Sequence, residues 1–377
     1  MGISIHTVGT KRDLKRFVKF PFKLYRGDPF WIPQLIRDEM QTFNRNKNPA
    51  FENSDCRLFM AYRDGKPVGR IAAVLSHVAN KKYNTKNMRF GWFDTVDDPQ
   101  VAAALFGAVE AWARELGLET ITGPHGFCDL DLQGMLVEGF DQMPTIAGYY
   151  NYPYYPKLVE GCGFRKDIDY LEFKAQVPAK GAFPEKLIKL AERVAERGGF
   201  RILKFKNMKE IKGRAIELFE LLDEAYEEIY GSVPLTDRQK HYYIKKYISF
   251  VDKDLVPVVV NQRNEMIGFM ISMPNLSRAF QKARGRLLPF GWFHLWRGLK
   301  QNKIIDFYLA GIKKTYRGQG IDLLMVVEVA RAARAKGFDI TESNQELETN
   351  TKIQAQWKYF NPVQHKRKRI YKKSITT

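Results

Sequence analysis

Residues 304–324 read IIDFYLAGIKKTYRGQGIDLL. The apolar run Ile304–Ile312 has strand propensity, a short basic turn carrying Gly318 and Gly320 follows it, and a helical pattern extends from Ile321 to Lys336. Glycine permits backbone conformations closed to other residues. The helix start behind the turn offers unpaired N–H groups and the positive end of its dipole. Phosphate suits such a cradle, although the turn by itself also fits a plain βα connection that binds nothing.

Outward from that stretch, one order of elements occurs twice. In the second half, Leu255–Asn261 and Met266–Met273 read as a hairpin ahead of it. A strand near Asp339–Ser343, a helix around Thr351–Phe360 and a last strand near Arg369–Ile375 follow it. In the first half, Thr10 with Asp13 three positions on starts a helix. Arg57–Tyr62 and Pro67–Val74 then flank the tight-turn pair Asp64-Gly65, and Met88–Asp94 is the next strand. Asp98-Pro99 starts a helix over Gln100–Leu116 that Gly117 ends, and Glu119–Thr122 is a strand. A helix at Tyr154–Glu160 and a strand at Asp169–Ala175 close the block. The linker Val177–Pro184 carries Pro and Gly, so the expected units are 1–178 and 179–377.

Arg317-Gly318-Gln319-Gly320-Ile321-Asp322 after a strand resembles the Q/R-x-x-G-x-G/A signature with which the GNAT superfamily of N-acyltransferases holds the pyrophosphate of CoA. Arg317 and Gly320 match. Asp322 stands where the family has Gly or Ala, and a carboxylate there repels pyrophosphate unless it turns outward; its other reading is an acidic residue favoured at a helix N-terminus. The repeated order of elements is also that of GNAT proteins. The resemblance therefore spans almost the whole chain and implies an α/β (α+β mixed-sheet) fold of two tandem GNAT-like lobes. Asn48–Phe51, Gly134–Phe140, Asn151–Tyr155 and Lys368–Lys372 look like the family typified by bacterial ceramide synthase. That resemblance implies an acetyl-CoA or longer acyl-CoA cosubstrate, no metal, and an amine acceptor of the sphingoid lipid type. It puts CoA contacts at Gly311, Ile312, Arg317, Gly318, Gln319, Gly320, Ile321 and Asn350.

Composition fits without choosing. The chain has 377 residues, 45% of them hydrophobic and 27% charged, as in globular proteins large enough for two cored domains. No run approaches a membrane span and no secretory leader is legible, so the cytoplasm is the expected compartment. Three cysteines without a C-x-x-C give no disulfide framework or zinc site. The net charge of +19 suits an anionic cosubstrate, an anionic membrane or a nucleic acid, or is only a solvated surface.

Acyl transfer to an amine needs a base, a stabilised oxyanion and an acid for the leaving thiolate. Asp306 and Tyr308 share a strand face and are candidates for it. The family's acid is a tyrosine after an Asn. Asn350 fits that Asn, but the tyrosine position falls on Trp357, which leaves Tyr359 as the nominee; all these aromatics also suit a core. The first half has Asp97 and Asp98 where pyrophosphate would sit, so it is the degenerate copy. Its His125, Tyr154 and Tyr155 are candidates for facing the acceptor, with a structural role as the alternative for His125. Ser277–Lys303 contains no acidic residue and interleaves seven basic residues with aromatics, among them Trp292, Phe293 and Trp296. That suits a peripheral contact with anionic lipid at the inner membrane face, or a packed helical insertion. The basic run His365–Lys373 reads as an extension of that surface or as a charged edge strand. Two other functions share these features: a Fem-like transferase using aminoacyl-tRNA, and a module that binds CoA without turnover.

Overall fold

The computed structural model describes residues 2–178, 184–357 and 360–376. The first half supplies β1 (Ile3–Thr7), β2 (Ser54–Arg63), β3 (Lys66–Ser76), β4 (Asn87–Thr95), β5 (Thr120–Gly123), β6 (Met135–Glu138) and β7 (Arg165–Gln176). The second supplies β8 (Arg201–Leu203), β9 (Val258–Val260), β10 (Met266–Pro274), β11 (Ile304–Ile312), β12 (Ile340–Ser343), β13 (Glu346–Leu347) and β14 (Val363–Ser374). Among the described residues these form one mixed sheet in the order β1-β2-β3-β4-β5-β14-β7-β12-β11-β10-β9-β8, with β6 beside β14 and β13 beside β7.

The tandem plan is visible in two matching units. β4 runs parallel to β5 and β11 runs parallel to β12, the two crossovers being α2 (Pro99–Glu115) and α8 (Ile321–Ala335). Local chemistry sets the expected boundaries. Thr10 accepts a hydrogen bond from the Asp13 N–H at the start of α1 (Lys11–Leu24), and Asp64 and Gly65 take positive φ in the β2–β3 turn. Apolar faces then close on the sheet. Phe90 and Phe106 are at most 1% exposed and meet edge to face, each such ring contributing about 1.5–3 kcal/mol over an exposed one.

The sheets of the two halves run together because each ends in a strand that lies against the other. β7 pairs with β12, β14 pairs with β5, and β7 and β14 pair with each other along most of their length. The basic run His365–Lys373 is therefore neither an edge strand nor part of an exposed basic surface: it forms most of β14, in mid-sheet. Its alternation explains how. Lys366 and Lys368 point to one face and are buried with Glu172 and Glu342, while Arg367 and Arg369 point to the other and bond Asp169. Glu172, Glu342 and His365 bring potential ligand atoms within 4.8 Å of one another. Lys366 Nζ already stands 2.7 Å from both carboxylates, so the chain supplies its own cation there.

The other helices used below are α3 (Glu185–Gly198), α4 (Ala215–Tyr226), α5 (Asp237–Tyr247), α6 (Ser277–Ala283), α7 (Gly291–Lys300) and α9 (Thr351–Trp357). Helices α6 and α7 are inserted between β10 and β11. Among the described residues no helix is long and apolar enough to cross a membrane.

Candidate functional site

Parallel pairing of β11 with β12 stops at Phe307 and Ser343. Beyond that point residues 309–312 stay paired with β10 while Glu346 and Leu347 pair with β7, so the ladder between the two segments opens into a wedge. The glycine turn follows the end of β11 and leads into α8. Gly318 and Gly320 have φ of +78° and +81°, and Gly320 is the N-cap of α8 with no side-chain cap. A Cβ on Gly320 would lie 2.9 Å from Val194 of α3, so glycine is required there by conformation and by contact. The Arg317 guanidinium donates to the Ala225 carbonyl and lies 3.6 Å from Glu228, while Gln319 donates to the Thr315 carbonyl. Ile321 is fully buried beneath the turn. Gly311 lets Phe269 and Ala225 approach β11, and Ile312 stays in register with Gly268 of β10. Asn350 caps α9 by accepting from the Ile353 N–H.

The wedge opens into a cavity of about 300 Å³, at the small end of the range for ligand sites. Leu218 and Phe219 of α4, Ile244 of α5, Ile248, Val256 and Met273 give it an apolar middle. Asp38, Glu39, Asp129 and Asp131 form a polar wall with Lys246. Burial raises all four carboxyls, Asp129 to about 6. Gln345 Nε2 donates to the Gln133 carbonyl, which joins this wall to the wedge.

Glu346, which the sequence reading passed over, is the most reactive-looking group on the cavity wall. Oε1 accepts from Trp357 Nε1 at 2.7 Å, whereas Oε2 is buried and has no hydrogen-bond partner among the described residues. Burial, only partly offset by the hydrogen bonds from Trp357 and Ser343, pushes its carboxyl up to about 7. Trp357, at the family's tyrosine position, is thus a core ring that orients Glu346. Tyr308 also lines the cavity, and its hydroxyl donates to Asp306 at 3.3 Å. Asp306 itself is fully buried behind the wall and accepts from Asn275 as well; burial and the Glu342 charge raise its carboxyl. Tyr359 lies outside the described residues.

In the first half the corresponding places are filled by the chain. Asp98 accepts from the Gln100 and Val101 N–H groups at the start of α2 and from Arg63, so a carboxylate already holds that helix end. In the β4–β5 wedge, Tyr155 accepts from the Thr95 N–H and Tyr154 donates to the Thr95 carbonyl. Neither tyrosine lines the cavity. His125 is 4% exposed and lies next to it, hydrogen-bonded to Gln133, with its imidazole pushed down to about 3 by burial and by Arg89. Trp292, Phe293 and Trp296 are 54%, 42% and 48% exposed on α7.

No family model matches the chain. Protein YghO of Escherichia coli (strain K12) is 30% identical over 380 residues, covering 98% of this chain and 95% of that protein. The bacterial ceramide synthase of Caulobacter vibrioides is 29% identical over 382 residues, covering 99% and 98%. Among solved structures, a tandem GNAT protein from the clavulanic acid biosynthesis pathway superposes with a TM-score of 0.57 at 10% identity, covering 100% of this chain and 99% of that one.

Proposed function

The chain belongs, with YghO, to the bacterial ceramide synthase-like family of tandem GNAT-superfamily N-acyltransferases, and from that premise we propose that it transfers a long acyl chain from CoA to a lipid amine of the sphingoid type. Residues 179–377 are the working lobe and 1–178 the degenerate one. The observation that carries the reading is the continuity of the β11–β12 wedge with an apolar cavity whose wall holds the Glu346 carboxyl, raised by burial to about 7.

On this reading the CoA pyrophosphate rests on the backbone amides of Arg317–Ile321 and the pantetheine follows β11, placing the thioester beside Tyr308 and Glu346. The acyl chain takes the apolar middle of the cavity. The acceptor's head rests against the Asp129–Gln133 wall, where carboxylates favour an ammonium. Glu346 removes a proton from the attacking nitrogen, the C–N bond forms, and the C–S bond breaks. Tyr308, held by Asp306, gives a proton to the departing thiolate, and its oxygen takes up the second proton that the nitrogen sheds as the amide forms. On this reading the protein works in the cytoplasm, where acyl-CoA is made, at the inner face of the membrane.

Parallel incubations with acetyl-CoA and palmitoyl-CoA, each with a long-chain amine, should give an N-acylated product by mass spectrometry, with palmitoyl-CoA the faster donor. Use of acetyl-CoA alone would remove the acyl chain from the cavity, and turnover of neither donor would remove the reading. Because the first half fills its own wedge and helix end, calorimetry should find one CoA per chain. Gly320→Asp puts a side chain against Val194 and a charge at the phosphate cradle, and should weaken CoA binding at least about tenfold. Unchanged affinity would move the CoA site elsewhere.

A further inference from the structure

Ser277–Lys303 has two unlike sides. Its inner side is built into the protein: Ser277 Oγ donates to the Pro144 carbonyl, Gln281 bonds the Pro29 and Trp31 carbonyls, and the Ile36 N–H donates to the Gly285 carbonyl. Phe280 of α6 lines the cavity and packs against Phe250. Leu295 faces inward from α7, and Gly298 brings α7 close to Ala279 of α6. The outer side leaves Leu288 and Phe290 76% and 72% exposed in the α6–α7 connection, with Trp292 and Trp296 on the next turn of chain. Arg278, Lys282, Arg284, Arg286, Arg297 and Lys300 are all exposed, and none has an ion pair with a carboxylate among the described residues.

A soluble surface does not ordinarily hold its largest apolar side chains outward on a segment tied down by buried hydrogen bonds. An apolar tip, tryptophans behind it and unpaired cations around both match the successive depths of a bilayer: acyl region, headgroup level and anionic surface. A nucleic acid would use the cations and leave Leu288 and Phe290 in water. A protein interface also uses tryptophan and arginine, but it does not call for an all-cationic surround without one acidic residue, which Ser277–Lys303 has.

We propose that the α6–α7 insertion is a docking surface for a bilayer containing anionic phospholipid, with the Leu288–Phe290 tip inserted, and that α6 is the wall past which a lipid acceptor reaches the cavity. The docking surface stands on its own geometry; the route past α6 rests on the acyl-transfer reading. Apolar insertion supplies depth and the cations supply selectivity for anionic headgroups.

Sedimentation of the full chain with vesicles tests it. The wild type should bind vesicles of phosphatidylcholine and phosphatidylglycerol in equal parts, bind pure phosphatidylcholine far less, and lose binding as salt rises. Leu288→Ser with Trp292→Ser should lower binding at least about tenfold. Arg284→Glu with Arg286→Glu should abolish the preference for phosphatidylglycerol. All these side chains are exposed, and turnover of a short, water-soluble amine with a soluble acyl-CoA should stay at the wild-type rate in both variants. Absence of wild-type binding at low salt, undiminished binding by both variants, or tighter binding to transfer RNA than to the mixed vesicles would overturn the docking surface. Loss of turnover with docking intact would instead count against the acyl-transfer reading. Slower turnover of a vesicle-borne long-chain amine by the variants, with the soluble amine unaffected, is expected if the lipid enters past α6; equal rates would overturn that route.

Discussion

Glu346→Gln should lower kcat/KM by about a hundredfold to ten-thousandfold, the range found when a positioned general base is removed. Gln is nearly isosteric, and its carbonyl oxygen can still accept the Trp357 N–H, so what disappears is the ability to take a proton. The pH profile separates this from a structural effect. With the carboxyl held near 7, the wild-type rate should climb as pH rises through that value and then level off, and the variant should lose that inflection. Stability moves the other way. A carboxyl whose folded value is raised from 4.5 to about 7 loses folded-state stability as pH climbs between the two, because the unfolded chain ionises first. At pH 8 the Gln variant should therefore melt no lower than wild type. A variant with wild-type kcat/KM would remove Glu346 from the chemistry.

Lys366→Met should cost about 3–5 kcal/mol of folding stability, read as a lower urea midpoint, because it leaves buried carboxylates short of their cation. Lys366 sits between Glu172 and Glu342, and Lys368 is left to serve Glu172 alone. Burial alone would raise Glu172; the two lysines reverse that and hold it down at about 2. His365 cannot take over, since burial and Lys366 keep its imidazole down at about 3. The pH dependence follows. Stability from Glu172 is present above about 4.5 and is lost as pH falls towards 2, and the variant should show less of this acid step. An unchanged midpoint would mean that the network is neutral to stability. These charges also fix register: a slip of β14 by one residue would turn Lys366 and Lys368 to the other face.

Local chemistry was legible in the sequence wherever a signal lies within a few residues. Thr10, Asp64-Gly65, Asp98-Pro99 and the Gly318–Gly320 turn each announce a cap or a turn whose cause is the backbone of the same segment. The repeated order of hairpin, strand, helix and strand was legible for the same reason, and with it the tandem GNAT plan. The exposed aromatics of Ser277–Lys303 stood out because composition reports surfaces.

Tertiary structure alone decided which strands meet and what they bury. The run KRKRIYKK has the composition of an edge, yet it is central, since Lys366 and Lys368 are neutralised by Glu172 and Glu342 from strands nearly two hundred and about twenty residues away in sequence. Glu346 looks like any acid in SNQELETN, and its raised carboxyl comes from burial beside Trp357, eleven residues on. Tyr154 and Tyr155 look like ligand contacts until Thr95 is seen to take both hydroxyls. Sequence spacing fixes what a residue meets within its own turn or strand. Charge, burial and the emptiness of a wedge depend on partners that only the folded chain brings within hydrogen-bonding distance.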